Sequence, residues 1–344
     1  MKTTCFDIHG LLALQLVSGR SGVHRFFNDE LACFRAPSTG RTDVRVVVGP
    51  VPPLRGPALL FDNRKYAVSG ESISFSEWYK GFRLRLRLTN LQSPETTLCF
   101  SGHPLTYRLL FLKFVVPVLR LRFLQRGLTL VKASAIESED GAWLLPAWSG
   151  GGKTSLVIHA LARDYTVLSD TFSLVSEHGE VYPLPRPLHV FWRNVTTCPS
   201  LWAGISRAQR FALRLKHVIY VLSLRTLNLS HRLALGGGTV GRSPRRLRSV
   251  LFLTQMDEPV WQEGRDLLTA QAVGKMMAND RHETQLFDAA YLAYTQSQLR
   301  VWDYWSVHSQ VLAAALQDVV CHEVFLPSRP RPDDFVRVLD RLVT

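Results

Sequence analysis

The sequence predicts an α/β protein in two parts: a small β-rich or α+β domain over residues 1–102, then a phosphate-loop domain over 103–344. Three observations predict it. A glycine-rich loop ending in Lys153-Thr154 follows an apolar run and opens a helix. The first hundred residues alternate short apolar runs with Pro and Gly clusters. A chain of 344 residues, 46% of them hydrophobic, is long enough to build two cores.

From the N-terminus, Met1–Gly10 lacks a basic start followed by an apolar core and a small-residue cleavage site, which predicts a cytoplasmic protein. Val44–Val48 and Phe82–Leu88 alternate as half-buried strands do, the second with one apolar and one basic face. Residues 109–124 are very apolar, but Lys113, Pro117, Arg120 and Arg122 interrupt them before the roughly 20 residues a membrane span needs. A core helix leading to a strand is predicted there. Residues 211–229 have the same texture, and lying on a membrane surface stays open for both. The five cysteines are scattered without a C-x-x-C pair, and the eleven histidines do not cluster at metal-ligand spacing. Reduced thiols and structural histidines are expected.

The segment Gly141–Leu161 carries the chemistry. An apolar run enters Ser149-Gly150-Gly151-Gly152-Lys153-Thr154-Ser155, where the loop amides and the helix dipole would face an anion and Lys153 would add a full charge. Thr154 would hold Mg²⁺ through its hydroxyl. Ala147 departs from the strict Walker pattern, which wants glycine there. A helix over Lys153–Asp164 with Leu156, Val157, Ala160 and Leu161 on one face, then a strand Tyr165–Leu168, delivers Asp170 beside the loop on a neighbouring strand. Asp170 is the candidate magnesium ligand or base.

These stretches, with Leu130–Ile136 and Val167–Val175, resemble the HPr kinase/phosphorylase family, whose wider fold group is similar to phosphoenolpyruvate carboxykinase. The resemblance covers roughly 105–335 and is most specific over 130–190. It implies ATP, or another purine nucleoside triphosphate, with Mg²⁺ and phosphoryl transfer to a hydroxyl. Two positions depart from the family's pattern. Lys132 stands in place of its histidine, and Thr171 in place of its second aspartate. Lys132 would therefore stabilise transferring phosphate rather than abstract a proton. The family also has a basic loop in a place comparable to Gly236–Arg246, which makes Arg242 and Arg245 candidates for a second phosphate clamp.

The net charge of +13 is concentrated. Val181–Met256 holds no Asp or Glu and twelve Lys or Arg. A continuous basic surface reaching the loop is expected, with an anionic acceptor (acidic peptide, protein or phosphorylated small molecule) or anionic lipid as its partner. Nucleic acid is disfavoured because no recognised module appears and aromatics are not interleaved at stacking intervals. An oligomer stays open. Toward the C-terminus, helices are predicted over 261–278, 283–294 and 306–318, then a strand 323–327 and a helix 332–342. The sequence favours an ATP-dependent phosphotransferase, with a nucleotide-binding module lacking transfer activity as the alternative.

Overall fold

The computed structural model describes residues 1–79, 81–223, 229–235, 240–258, 262–296, 298 and 302–342. The chain is mixed α/β and divides into two compact units. The first comprises Met1–Leu130 and Asp280–Ser309; the second comprises Val131–Asn279 and Gln310–Thr344. The expected partition at 102/103 differs from this one. Residues 103–130 fall in the first unit because their apolar helix builds its core: Phe111 meets Phe26 and Phe27 edge-on, and Phe114 packs on Phe75.

In the first unit, strands β1 (Lys2–Ile8) and β2 (Leu12–Ser18) precede helix α1 (Ser21–Glu30). Strands β3 (Arg35–Ala36), β4 (Val44–Val48), β5 (Leu59–Phe61), β6 (Tyr66–Ser69), β7 (Ser72–Tyr79), β8 (Phe82–Thr89) and β9 (Thr96–Ser101) follow, then helices α2 (Tyr107–Leu110) and α3 (Val116–Leu124). One sheet orders them β3-β1-β2-β4-β9-β8-β7-β6-β5, with β2, β4 and β9 parallel. The alternation in β8 is as the sequence predicts: Leu84, Leu86 and Leu88 are buried while Arg83 and Arg85 are exposed. Among the described residues no helix is long and apolar enough to cross a membrane.

Strand β10 (Leu128–Val131) leads to the second unit, with β11 (Ala133–Ser138), β12 (Gly141–Pro146), α4 (Lys153–Leu161), β13 (Val167–Ser169), β14 (Ser173–Ser176), β15 (Glu180–Tyr182), β16 (Leu188–Val190), α5 (Trp192–Thr197), α6 (Pro199–Gly204), α7 (Arg207–Leu222), β17 (His231–Leu233), β18 (Arg245–Met256), β19 (Gln262–Asp266), α8 (Thr269–Thr295), α9 (Tyr304–Ala315), β20 (Val320–Pro327) and α10 (Pro332–Arg341). The sheet runs β14-β15-β18-β12-β11-β13, with β20 parallel to β18 and β19 beyond it. Apolar residues of α4 and α10 cover one face, and those of α8 and α9 that belong to this unit cover the other. Helices α5–α7 and the β16–β17 pair enclose a further core against α4.

Two predicted helices, 261–278 and 283–294, are corrected. Gln262–Asp266 is a strand, and Thr269–Thr295 is one uninterrupted helix. Trp261 lies outside the described residues, as do Arg225 and the glycines 236–238.

Candidate functional site

Strand β12 ends at Pro146, and Ala147 still bridges to Leu253 of β18 before the chain turns into the glycine loop. Gly150 and Gly152 have φ of 94° and 95°, a region open to glycine and costly for other residues. Space is short there too. A Cβ on Gly152 would stand 2.9 Å from the Phe335 ring, and one on Gly150 would stand 3.2 Å from Arg193 Nη1. Gly152 caps α4, whose first residues are Lys153 and Thr154. Lys153 is buried, and its ammonium donates to the Ala147 carbonyl and, at 2.9 Å, to the Trp148 carbonyl. The loop therefore closes around its own cation.

Asp170 follows the end of β13 and is 1% exposed. Ser134 Oγ donates to its Oδ1 at 2.8 Å; Thr154 and Thr171 hydroxyls each reach Oδ2 at 3.3 Å. The loop threonine and the strand-end aspartate thus meet, as the spacing predicts. Their strands are not adjacent: β11 lies between β12 and β13, antiparallel to both. Because β11 starts where its neighbours end, Lys132 and Ser134 arrive at the edge that carries the loop. Thr171 has φ of 77°, an outlier for a β-branched residue.

Lys132 Nζ lies 5.0 Å from the Phe172 ring centroid, and the Arg186 guanidinium lies 5.8 Å from it, so two buried cations stand one residue beyond Asp170-Thr171. Asn279 Nδ2 joins the Lys132 and Ala147 carbonyls at 3.2 and 2.9 Å. Its Oδ1 is buried without a hydrogen-bond partner among the described residues.

Ser149 is exposed on the loop, while the Ser155 hydroxyl is turned away, 2.9 Å from Thr197 Oγ1 and accepting from Asn194 Nδ2 at 3.0 Å. Ser155 thereby fixes α5 and with it Arg193, whose exposed guanidinium reaches Gly150. Sequence reading counted Arg193 among the basic residues without assigning it to the loop, since forty residues separate the two and no spacing rule links them.

Arg242 and Arg245 are corrected as loop partners. Strand β18 runs parallel to β12, with Leu247 level with Ala142, so Arg245 stands at the N-terminal edge of the sheet. The loop follows the opposite ends of these strands, about 26 Å from Arg245 over the eight residues to Leu253, which is level with Ala147. Arg245 pairs with Glu137, which accounts for its charge. Gly241 bonds the Val167 carbonyl, so Arg242 is tethered at the start of β13, whereas Asp170 follows its end. The described basic residues of Val181–Met256 do not form one surface: Arg186 is buried, Arg193 is at the loop, Arg207, Arg210, Arg214 and Lys216 are on α7, and Arg245, Arg246 and Arg248 are at the far edge.

The site has one carboxylate, and no group of three or more His, Cys, Asp or Glu that could hold a metal stands among the described residues. The donor set still suits a magnesium ion bound chiefly to phosphate oxygens and water, with Thr154 Oγ1 and Asp170 as protein ligands. A loop whose backbone excludes Cβ atoms beside a lysine, an arginine and a helix N-terminus suits an anion. The chain matches no protein-family model and no curated protein.

Proposed function

We propose that this protein binds a purine nucleoside triphosphate with Mg²⁺ at the Ser149–Thr154 loop and transfers phosphate, slowly, to a hydroxyl of a peptide, protein or small molecule. One observation carries the reading: the first helical threonine after a glycine loop shares a carboxylate, Asp170, that a separate strand delivers. Bound magnesium would neutralise charge on the phosphates. Lys153 would exchange its two carbonyl partners for phosphate oxygens, Arg193 would approach them from the Gly150 side, and Lys132 would add positive charge near the acceptor. Asp170 would hold the metal or accept the hydroxyl proton. It cannot do both well, so turnover is slow.

The single carboxylate also favours a second reading, a module that binds nucleotide without transfer. Calorimetric titration with Mg-ATP and Mg-GTP tests binding; absence of heat with both at millimolar concentration refutes the phosphate-site reading. Transfer of labelled phosphate to candidate acceptors then separates the two. Tight binding with no transfer, while the Lys132→His/Thr171→Asp double variant transfers, selects the second.

A further inference from the structure

Helix α7 hides little of itself. Leu213 alone is buried, in the core with Ile205, Leu188, Val190 and Leu233. On the outside, Phe211, Leu215, Val218 and Leu222 are 68, 49, 50 and 77% exposed, with Val221 at 54% beside them. Their spacing of four, three and four residues lines them along one stripe. Large apolar side chains in such a row are normally covered. Cations border the row: Arg207 and Arg214 stand one turn from Phe211, and the Arg210 and Arg214 guanidinium groups lie 5.3 and 5.1 Å from the Trp202 ring centroid. Among the described residues none of these three arginines has an acidic partner, and Val181–Met256 contains no acid to supply one.

We infer that α7 is a peripheral docking helix for an anionic lipid bilayer, lying in the plane of the interface with its apolar row among the acyl chains and its arginines among the headgroup phosphates. Charge complementarity and shape choose this occupant. A second copy of the chain on the same face would bring no acidic residue to Arg207, Arg210 and Arg214, because α7 carries none. An acidic peptide would find a convex helix rather than a groove. A bilayer accepts a convex apolar row with flanking cations, and Trp202 between two arginines suits the headgroup level. This inference stands apart from the nucleotide reading.

The test is flotation of the full chain with vesicles of phosphatidylcholine alone and vesicles with about one-third phosphatidylglycerol. Binding is expected to the anionic vesicles only, weakening as salt shortens the Debye length below about 10 Å. Each arginine near the surface contributes roughly fivefold, so Arg207→Glu with Arg214→Glu should weaken binding by at least about 25-fold. Phe211→Ser with Leu222→Ser should weaken it by about tenfold or more. Arg246→Glu with Arg248→Glu, on the far edge of the sheet, should leave it unchanged. All these positions are exposed, and unchanged thermal unfolding verifies folding of each variant. The inference is overturned if anionic vesicles are not bound at low salt, or if the α7 variants bind them as the parent does. It is equally overturned if the far-edge variant loses as much as the α7 variants. Self-association abolished by Phe211→Ser, or binding of polyglutamate without vesicle binding, assigns the face to those partners and also overturns it.

Discussion

Replacing Lys153 with methionine keeps the buried stem and removes the ammonium. Two carbonyls, Ala147 and Trp148, then lose a charged donor. Hydrogen bonds to charged groups contribute about 1.5–3 kcal/mol each, and relief of the desolvated charge offsets part of that, so a net loss of about 2–3 kcal/mol is expected. For a unit of this size that lowers Tm by roughly 4–12 °C. The ligand response is more telling. At a hundredfold excess over Kd, Mg-ATP would stabilise the parent by about 2.7 kcal/mol. If Lys153→Met weakens phosphate binding by about 2–3 kcal/mol, the same concentration is only about 0.6 to 3.4 times the new Kd, and stabilisation falls to roughly 0.3–0.9 kcal/mol. Thermal unfolding with and without Mg-ATP measures both effects. A variant that unfolds earlier yet keeps the full nucleotide-induced rise would refute the idea that Lys153 leaves its carbonyls for phosphate.

Asp170→Asn preserves shape and can keep its hydrogen bonds with Ser134, Thr154 and Thr171; it should abolish both transfer and the magnesium-dependent part of nucleotide affinity, read by titration with and without Mg²⁺. An unchanged magnesium increment counts against the assignment. Arg193→Ala should weaken phosphate binding by about 1–3 kcal/mol while Arg245→Ala leaves it alone, because only Arg193 lies against the loop. Equal effects would contradict the two-edge geometry. Burial holds the imidazoles of His308 and His159 below the usual histidine range; hydrogen bonds to Asp280 and the Thr197 carbonyl oppose it without cancelling it. The unfolded chain therefore takes up protons first. The stability owed to these neutral rings is complete above about pH 6.5 and is lost as pH falls through and below it, so unfolding monitored from pH 8 to 5 should show a decline that His159→Gln reduces.

The glycine loop, the helix behind it and the arrival of Asp170 were legible because they rest on local grammar: positive φ demands glycine, and the distance from Lys153 to Asp170 suits one helix and a return. Strand β8 was legible for the same reason, its period of two surviving intact. Arg193 was not, since its place depends on Ser155 and Asn194 holding α5, a tertiary contact with no period. Arg245 was misplaced because a basic loop near a phosphate loop in sequence says nothing of which end of a twelve-residue strand it occupies. The merged helix Thr269–Thr295 misled for a related reason. Its mixed pattern reflects residues that belong to two different compact units, so no single apolar face runs along it.

The antiparallel course of β11 alters the order in which chemistry is written along the chain. In a sheet whose strands all run one way, groups at the binding edge come only from the C-terminal ends of strands. Here the chain visits that edge first, at Lys132 and Ser134, leaves it, and returns to build the loop. A change at 132 or 134 can retune the surroundings of Asp170 while every loop residue stays as it is. Lys132 is such a position: it lies upstream of the glycine loop in sequence and at the same edge of the sheet, so its side chain can change without altering any residue of the loop.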